Sequence, residues 1–554
     1  MITSAESISN GLKVLLGGRP EELLKYGYLK NPQNRPTVLG ILDDFSTQCF
    51  APELNYWSLA RRDIDAALDH FSPDFLLVES AWNGSEGEWR YQLTSDSGPK
   101  DSFYDLITAC RNRSIPTVFW NKEDPPHFQE FLPAAKEFDY IFTTEESLVT
   151  AYMKAAGHEN VNVLQFGAQP TIHSPLQIDG FRAGNIAFAG QYFAHKFPER
   201  REQMDMLFPP AQELGLSIFS RMLGGDKNYA FPERYEKNVV GSLPYHQMVD
   251  AYRRFKVYLN VNSVPESQSM CARRIFELAS SKTAVVSSHS SAIHKAYSSN
   301  EVFTVKTSAE AADVLGRLTL DHRFRESATH LAWRTTATRH LYRNRIESII
   351  SVLGLPTPHL PDAVHVFLHA SSTESVRRLL SQLASQACVN IAQVTLVGQD
   401  LKLTGPEAAT IQNDLGTKWK LSIAANLDRQ PIVSADTAFI AFISDRYDIA
   451  PNYLLDMRLY LEHYSATETV AKGMTGTVAK PASAYVQGGW PEDIQSHSFL
   501  AGAWMTRASG SWFERIKRIL CSPSERISED AFVTLTDRFN IREASTSRTT
   551  DWVI

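Results

Sequence analysis

A group of proton-transferring side chains stands in the segment from Asn121 to His127. Glu123, Asp124 and His127 place two carboxylates and an imidazole within seven residues. Such groups supply a general base to a hydroxyl nucleophile, so these three side chains are catalytic candidates. A solvated turn, stiffened by the two prolines of the segment, is the alternative interpretation.

Other polar side chains directly follow short apolar runs. Asp44 comes after the run Thr37–Asp43, and Glu79 with Trp82 comes at the end of Asp74–Glu79. If these runs are strands of a parallel sheet, the polar groups lie at the carboxyl ends of the strands, where ligands bind. Asp44, Glu79 and Trp82 are therefore candidates for contact with a ligand.

Further along the chain, cations follow a glycine. Gly190 ends the apolar run Asn185–Gly190, and its missing Cβ allows a phosphate to approach the backbone. The cations that could neutralise a diphosphate are Lys196, Arg200, Arg201 and Arg221. Taken singly, these side chains also fit a solvated helix face.

The stretch from Leu259 to Glu277 combines more phosphate-suited features than any other. A strand ends near Val261, and a helix opening around Ser269 and Met270 would turn free N–H groups towards the preceding polar loop. Arg273 and Arg274 add positive charge, and Glu277, two turns into that helix, is placed to accept hydrogen bonds from a ribose. An ordinary Arg/Glu pair on a helix is the alternative.

Alternating strand and helix patterns position these groups in two parallel sheets. The first series of strands is predicted at 37–43, 74–79, 116–120 and 140–144, and the second at 185–190, 217–220, 257–261, 283–287 and 302–305. A helix is predicted at 21–29. The linker 169–184, with two prolines and two glycines, is the expected hinge.

A third domain follows a long helical stretch at 309–353 and a proline-rich linker. Its predicted strands lie at 363–368, 393–397 and 437–443. The expected domain boundaries are 1–180, 181–355 and 362–554.

Composition excludes several classes of protein. A chain with 43% hydrophobic and 21% charged residues is a folded protein, and a net charge of −7 gives no strong nucleic-acid signal. Five scattered cysteines without zinc-site spacing indicate a reducing compartment. We find no signal peptide or transmembrane stretch, so we expect a cytoplasmic protein, with peripheral membrane contact left open.

These patterns resemble the GT-B glycosyltransferases, and within them the spore-maturation-type, CgeB-like group. The matching stretches lie within about residues 35–355 and are Ile41–Phe45, Val78–Trp82, Phe119–Pro125, Phe188–Gly190 with Phe197–Arg200, and Ser269–Glu277. The resemblance implies an α/β fold of two Rossmann-like domains in the GT-B arrangement. The activity it implies is transfer of a sugar from a nucleotide-sugar donor to a surface glycan, protein or other macromolecule.

The resemblance also implies a role for each domain. The second domain would bind the donor, with Glu277 on the ribose and Gly190, Met270 and Arg274 around the diphosphate. No metal cofactor is then needed in this module, because arginines and the helix dipole replace it. The first domain would bind the acceptor, and hence Asp44, Glu79 and Trp82 would lie on the acceptor side.

The third domain resembles a smaller GT-A-type transferase. Asp445 and Asp448 stand where that family places its metal-binding acidic motif, and Asp530 resembles its general base. The match is imperfect, because Arg446 lies between the two aspartates and repels a cation. Mn²⁺ or Mg²⁺ binding is therefore an open expectation for this domain, and the alternative is a degenerate domain that binds acceptor or a partner.

Two other classes of function remain open for the whole chain. One is a sugar- or nucleotide-binding protein without turnover. The other is a nucleotide-sugar epimerase with the same two-sheet architecture, which would act without an acceptor.

Overall fold

The computed structural model describes residues 35–94, 98–177, 182, 184–357, 362–398, 403–417, 419–424, 433–434, 436–463, 469–475, 485–487, 497–508, 532–535 and 541–543. These residues form two compact units. The first contains residues 35–173 and 184–357, and the second contains residues 174–177, 182 and those from 362 onward. The helix predicted at 21–29 lies outside the described residues.

The first sheet of the first unit has six parallel strands in the order β2-β1-β3-β4-β5-β6. Their bounds are β1 Thr37–Ile41, β2 Asn55–Ser58, β3 Phe75–Glu79, β4 Thr117–Asn121, β5 Tyr140–Thr143 and β6 Val161–Val163. Every residue of β3 and β4 is buried, because helices cover both faces of a parallel sheet. The sequence predicted the four inner strands and missed the two edge strands β2 and β6.

The second sheet of this unit is also parallel, in the order β10-β9-β8-β11-β12-β13. Its strands are β8 Gly184–Gly190, β9 Leu216–Ser220, β10 Val239–Gly241, β11 Phe255–Asn260, β12 Ala284–Ser288 and β13 Phe303–Val305. The predicted α/β fold with two Rossmann-like sheets is thus confirmed. One apolar cluster continues from the first sheet to the second, with Phe50 and Trp120 on one side and Phe276 and Tyr297 on the other.

Helices connect the strands of both sheets. They are α1 Asp44–Phe50, α2 Ile64–Phe71, α3 Asp101–Asn112, α4 Phe128–Ala135, α5 Val149–Ala156, α6 Pro198–Glu213, α7 Glu233–Glu236, α8 Tyr245–Tyr252, α9 Arg274–Ser280 and α10 Ser291–Ala296. The stretch predicted as helical at 309–353 forms α11 Ser308–Leu320, α12 His322–Arg339 and α13 Tyr342–Leu353. Asp321 starts α12 by accepting a hydrogen bond from the Phe324 amide, which explains the first break.

The last helix of the first unit returns to the first sheet. The amide of Tyr342 donates to the carbonyl of Ala168, and the Arg345 guanidinium donates to the carbonyl of Phe166 at 2.8 Å. Gly354, with a φ of 67°, ends α13 in the left-handed conformation that glycine adopts without strain. Because α13 follows the second sheet in the chain, these bonds connect the two halves of the unit.

The second unit contains a mixed sheet in the order β16-β15-β14-β17-β21-β19-β22-β20-β7. Its strands are β7 Leu176–Gln177, β14 Ala363–His369, β15 Ile391–Val397, β16 Lys420–Ala424, β17 Thr437–Ser444, β19 Thr469–Thr475, β20 Tyr485–Gln487, β21 His497–Arg507 and β22 Phe532–Leu535; β18 Tyr447–Ile449 pairs separately with β23 Ile541–Glu543. The helices are α14 Thr373–Ala384, α15 Gly405–Asp414 and α16 Tyr453–His463. Part of the predicted hinge therefore forms β7, which pairs with β20.

Candidate functional site

Three arginines beside the second sheet have buried nitrogens without a hydrogen-bond partner. Those on the predicted donor side are Arg200 Nε, Arg273 Nη1 and Arg274 Nε; among the described residues, Arg325 Nε, Arg378 Nε and Arg458 Nε also lack one. Arg200 lies in the first turn of α6, where its Nη1 donates to Ser263 Oγ at 2.9 Å. Burial and the nearby Arg274 charge lower the pKa of Arg200 to about 10. Buried donors normally have partners, so this arrangement fits an anion.

Aromatic rings from both halves of the first unit contact the Arg273 guanidinium. Its Cζ lies 3.9 Å from the ring centre of Phe45, in α1, and 4.8 Å from that of Tyr245, in α8. Its Nε lies 3.6 Å from Glu277 Oε1. Burial opposes the charge on Arg273, but the Glu277 carboxylate outweighs this effect and raises the pKa. The guanidinium is therefore charged and held at the junction of the two sheets.

Glu277 lies inside the protein, with 1% of its surface exposed. Its Oε1 accepts from Tyr245 Oη at 3.0 Å and its Oε2 from Tyr252 Oη at 2.8 Å. Burial raises the pKa of Glu277, but Arg273 and other neighbours outweigh it and lower the pKa. The sequence placed this residue two turns into its helix, whereas it lies in the first turn of α9. Its ribose contact stays a prediction.

A buried histidine supports this group. His173 Nδ1 accepts from the Gln169 amide at 3.0 Å, so Nε2 carries the proton and donates to Tyr245 Oη at 2.8 Å. Burial lowers the pKa of His173 to about 4, which keeps the ring neutral. Tyr245 in turn donates to Glu277, and the hydrogen-bond directions along the chain are therefore fixed.

The helix expected to open at Ser269 begins instead at Arg274. Ser269 Oγ donates to the Thr144 carbonyl at 2.9 Å, while the amides of Ser269 and Met270 donate to Ser267 Oγ. These bonds hold the loop away from helical geometry and connect it to the edge of the first sheet. The two N–H groups predicted to face a ligand consequently have protein partners.

The other donor-side candidates surround the end of β8. Gly190 accepts from the Arg221 amide through its carbonyl, and an added Cβ would come within 2.9 Å of the Phe188 ring. Lys196 is exposed and lies over the ring of Phe193, at 5.2 Å. Arg201 donates to the carbonyls of Phe193 and Lys196, so it fixes this loop. The Arg221 side chain is exposed.

A buried lysine connects two carboxylates at the edge of the first sheet. Lys122 Nζ lies 2.8 Å from Asp43 Oδ2 and 2.9 Å from Glu79 Oε1. Burial lowers the pKa of Lys122, but the two carboxylates outweigh it and raise the pKa. The sequence singled out Asp44, which is exposed at the start of α1, whereas Asp43 joins this cluster. Lys122 itself was not predicted.

The three catalytic candidates have different environments. Asp124 is fully buried, and its carboxylate accepts from Thr143 Oγ1 at 2.6 Å and Tyr152 Oη at 2.9 Å. Burial raises its pKa to about 6. Glu123 is half-buried. The interior position of Asp124 suits it to holding the loop, and its catalytic role stays a prediction.

His127 is partly exposed, in contrast to the buried Asp124. Its ring lies against that of Trp82, with ring centres 5.2 Å apart, and 40% of its side chain is exposed. Its Nδ1 lies 3.1 Å from Glu130 Oε1. The structure therefore brings together two sequence candidates, His127 and Trp82, and adds Glu130.

The acidic candidates of the second unit already have protein partners. Asp445 Oδ2 accepts from the amide and hydroxyl of Ser371 at 2.7 and 2.6 Å. Asp448 lies 3.3 Å from Arg378 Nε and accepts from Gln382. As placed, the pair does not fit a divalent cation, and no group of three or more metal-binding side chains occurs in the described residues. Asp530 lies outside them.

Comparison with protein families gives a match within the first unit. A family model described as glycosyl transferase-like matches residues 200–351, which include the three arginines. No curated protein matches the chain significantly. In the part of the chain that the structure describes, every helix is too short or too polar to cross a membrane.

Solved structures show similarity at low identity. Anabaena HepE in complex with UDP-glucose is 12% identical, with a TM-score of 0.39 over 57% of this chain and 91% of that one. A sucrose-phosphate synthase from Thermosynechococcus elongatus is 10% identical, with a TM-score of 0.35 over 53% and 76%. A Listeria monocytogenes protein assigned as a UDP-N-acetylglucosamine 2-epimerase is 12% identical, with a TM-score of 0.35 over 65% and 97%. The sequence match thus identifies a glycosyl transferase-like region at residues 200–351.

Proposed function

We propose that the protein is a glycosyltransferase that uses a nucleotide-sugar donor. The observation that carries this proposal is the set of unpartnered buried nitrogens on Arg200, Arg273 and Arg274. A diphosphate supplies several anionic oxygens, which are the acceptors that such guanidinium groups bind best. The match of residues 200–351 to a glycosyl transferase-like family supports the same interpretation.

In this proposal the arginines stabilise the leaving group. The acceptor hydroxyl oxygen forms a bond to the anomeric carbon of the sugar while the bond from that carbon to the diphosphate oxygen breaks. The nucleoside diphosphate leaves with the electron pair, and its added negative charge falls beside Arg200, Arg273 and Arg274. These cations supply the positive charge that a metal ion supplies in other transferases.

The positions of other residues in the second sheet indicate further contacts with the donor. Gly190 and Arg221 lie at the carboxyl ends of β8 and β9, where ligands bind in parallel sheets. A ribose hydroxyl at Glu277 would use a second acceptor site of a carboxylate oxygen or replace a tyrosine hydroxyl, because each oxygen already accepts one hydrogen bond from a tyrosine.

The acceptor is assigned to the first sheet. We propose that His127 takes the proton of the acceptor hydroxyl, with Glu130 holding its Nδ1. Trp82, in contact with His127, offers an aromatic surface to a glycan. Glu123, which like His127 follows β4, is the second candidate for the general base.

The proposal also includes the subgroup of the first unit, the class of acceptor and the origin of the second unit. We place the first unit in the CgeB-like group and assign a glycan or protein as acceptor. We assign a GT-A-like origin to the second unit, since parallel strands β16-β15-β14-β17 continue into an antiparallel strand, β21. The proposed transfer uses no metal ion in this unit, because Asp445 and Asp448 as placed do not fit one.

The test is to incubate the full chain with UDP-, GDP-, CMP- and dTDP-sugars and to measure the release of free nucleotide. One donor class should be hydrolysed slowly, and Arg274→Gln should weaken its binding about ten- to a hundred-fold. Arg61→Gln, which changes an exposed arginine after β2, is the matched control.

Three other outcomes would contradict the proposal. Binding without release in the presence of candidate acceptors would indicate a binding protein. Formation of an isomeric nucleotide sugar would indicate an epimerase. Absence of any nucleotide binding would remove the donor site altogether.

A further inference from the structure

Phe45 lies between two cations that belong to different halves of the first unit. Its ring centre is 3.9 Å from Arg273 Cζ and 4.8 Å from Lys122 Nζ. Lys122 follows β4 of the first sheet, whereas Arg273 directly precedes α9 of the second. Both distances are within the range of about 6 Å over which a cation is attracted to an aromatic ring.

We infer that Phe45 is a positioning residue for donor binding, because it holds Arg273 in place without touching the donor. This inference rests on the proposed function, in which Arg273 binds the diphosphate. It goes beyond that function by making donor affinity depend on a side chain of the acceptor-side sheet.

The surroundings of Arg273 explain why a ring is needed. Its carboxylate neighbour, Glu277, is 3.6 Å from Nε, and both carboxylate oxygens already accept tyrosine hydroxyls. Nη1 is buried without a partner among the described residues. Few hydrogen bonds therefore fix the guanidinium. The rings of Phe45 and Tyr245 provide attraction while consuming none of its N–H donors.

Phe45 has contacts in both halves of the unit. It stands at the second position of α1, after β1 of the first sheet, and its ring makes an edge contact with Tyr245 of α8, with ring centres 6.4 Å apart. The second cation in contact with the Phe45 ring is Lys122, whose side chain is 5% exposed and is fixed by Asp43 and Glu79. A fixed ring restricts the positions of Arg273, so that less conformational entropy is lost when an anion binds.

The experiment measures binding of UDP, GDP, dTDP and CMP to the full chain by calorimetry. The tightest of these nucleotides and its parent nucleoside then serve as probes for all variants. Phe45→Leu keeps an apolar side chain but removes the ring, and Phe45→Trp keeps a ring. Phe71→Leu, which removes a ring that is stacked on Trp57 and packs on a different apolar cluster from that of Phe45, is the matched control.

We expect Phe45→Leu to raise the Kd of the nucleotide about three- to thirty-fold and to leave the Kd of the nucleoside unchanged. Phe45→Trp should restore most of the affinity, and Phe71→Leu should have no effect. In a background of Arg273→Gln, Phe45→Leu should cause no further loss, because its effect passes through Arg273. Thermal melting of each variant shows whether it is folded.

The failures of the two proposals are distinguishable. If the wild-type chain binds no nucleotide, the proposed function and this inference are both wrong. If it binds a nucleotide and Phe45→Leu binds equally well, the inference alone is wrong. Equal loss of nucleotide and nucleoside affinity, or additive loss with Arg273→Gln, would show a general structural effect and would also overturn it.

Discussion

Replacing Glu277 by alanine should destabilise the region around α9, although the resemblance alone suggested a side chain that acts only on a ligand. The carboxylate is buried and accepts hydrogen bonds from Tyr245 and Tyr252. It is also the carboxylate nearest to the charged Arg273. Removing it leaves two hydroxyl groups and a guanidinium without their acceptor.

The magnitude follows from these contacts. A hydrogen bond to a charged group contributes about 1.5–3 kcal/mol, and two are lost. The lost ion pair with Arg273 adds less than a fully buried pair would, because the Arg273 side chain is 32% exposed and water can solvate its charge. We therefore expect Glu277→Ala to lower the local free energy of unfolding by about 3–5 kcal/mol, and Glu277→Gln by about half as much.

Hydrogen exchange measured by mass spectrometry on the full chain tests this expectation. Peptides that cover α8 and α9 should exchange about a hundred-fold faster, or more, in Glu277→Ala than in the wild type. Glu266→Ala removes an exposed carboxylate from the preceding loop and should change nothing. Equal exchange in the two variants would refute the placement of Glu277 inside the protein.

Four further predictions follow from the site. Arg200→Gln should weaken nucleotide binding about ten- to a hundred-fold. It should not lower the melting temperature, because burial and the Arg274 charge, which lower the pKa of Arg200 to about 10, already disfavour the charged side chain in the folded protein. A large loss of stability would contradict this expectation. Burial raises the pKa of Asp124 to about 6, so the neutral form of its carboxyl group favours folding. As pH rises from about 4 to 6, the free energy of unfolding of the wild type should therefore fall by about 1.4 kcal/mol per pH unit relative to that of Asp124→Asn. Urea unfolding measures this difference, and a difference that stays constant with pH would contradict the prediction. His127→Ala should lower turnover about 10²–10⁴-fold at unchanged nucleotide Kd, and wild-type turnover would exclude it as the base. A chain ending after Leu355 should release free nucleotide from the nucleotide sugar equally fast with and without EDTA. Inhibition by EDTA would show that the donor site needs a metal ion.

The sequence was sufficient to predict the inner strands of both sheets. Strands such as Phe75–Glu79 are buried along their whole length and therefore appear as continuous apolar runs. The edge strand Asn55–Ser58 is short and only alternately buried, and Val239–Gly241 has no buried residue. In Asn55–Ser58 the residue types do not follow the burial, since the half-buried Trp57 is apolar and the buried Ser58 is polar, and Val239–Gly241 is too short to indicate a strand, so a single sequence did not show them.

The sequence indicated which charged residues lie at the site, but not which residues they contact. Arg200, Arg273 and Arg274 follow strand ends, so their positions could be predicted. The start of α9 could not, because Ser269 is bound to Thr144, which is 125 residues earlier in the chain. The pairing of Lys122 with Asp43 and Glu79 likewise depends on how three strand ends meet at one edge of the sheet.

The buried aromatic and histidine contacts were also beyond sequence patterns. Phe45, His173 and Tyr245 stand in short mixed segments far apart in the chain, and the fold brings them beside Arg273 and Glu277. Their importance comes from long-range geometry, and no local spacing marks them.

A crystal structure of the full chain, grown with the nucleoside diphosphate that binds most tightly, tests the central claim most directly. We predict that the phosphate oxygens lie within hydrogen-bond distance of Arg200, Arg273 and Arg274, with the nitrogens that now lack partners among the donors. A nucleotide bound elsewhere in the chain, with the three guanidinium groups unchanged and without an anion, would contradict the claim.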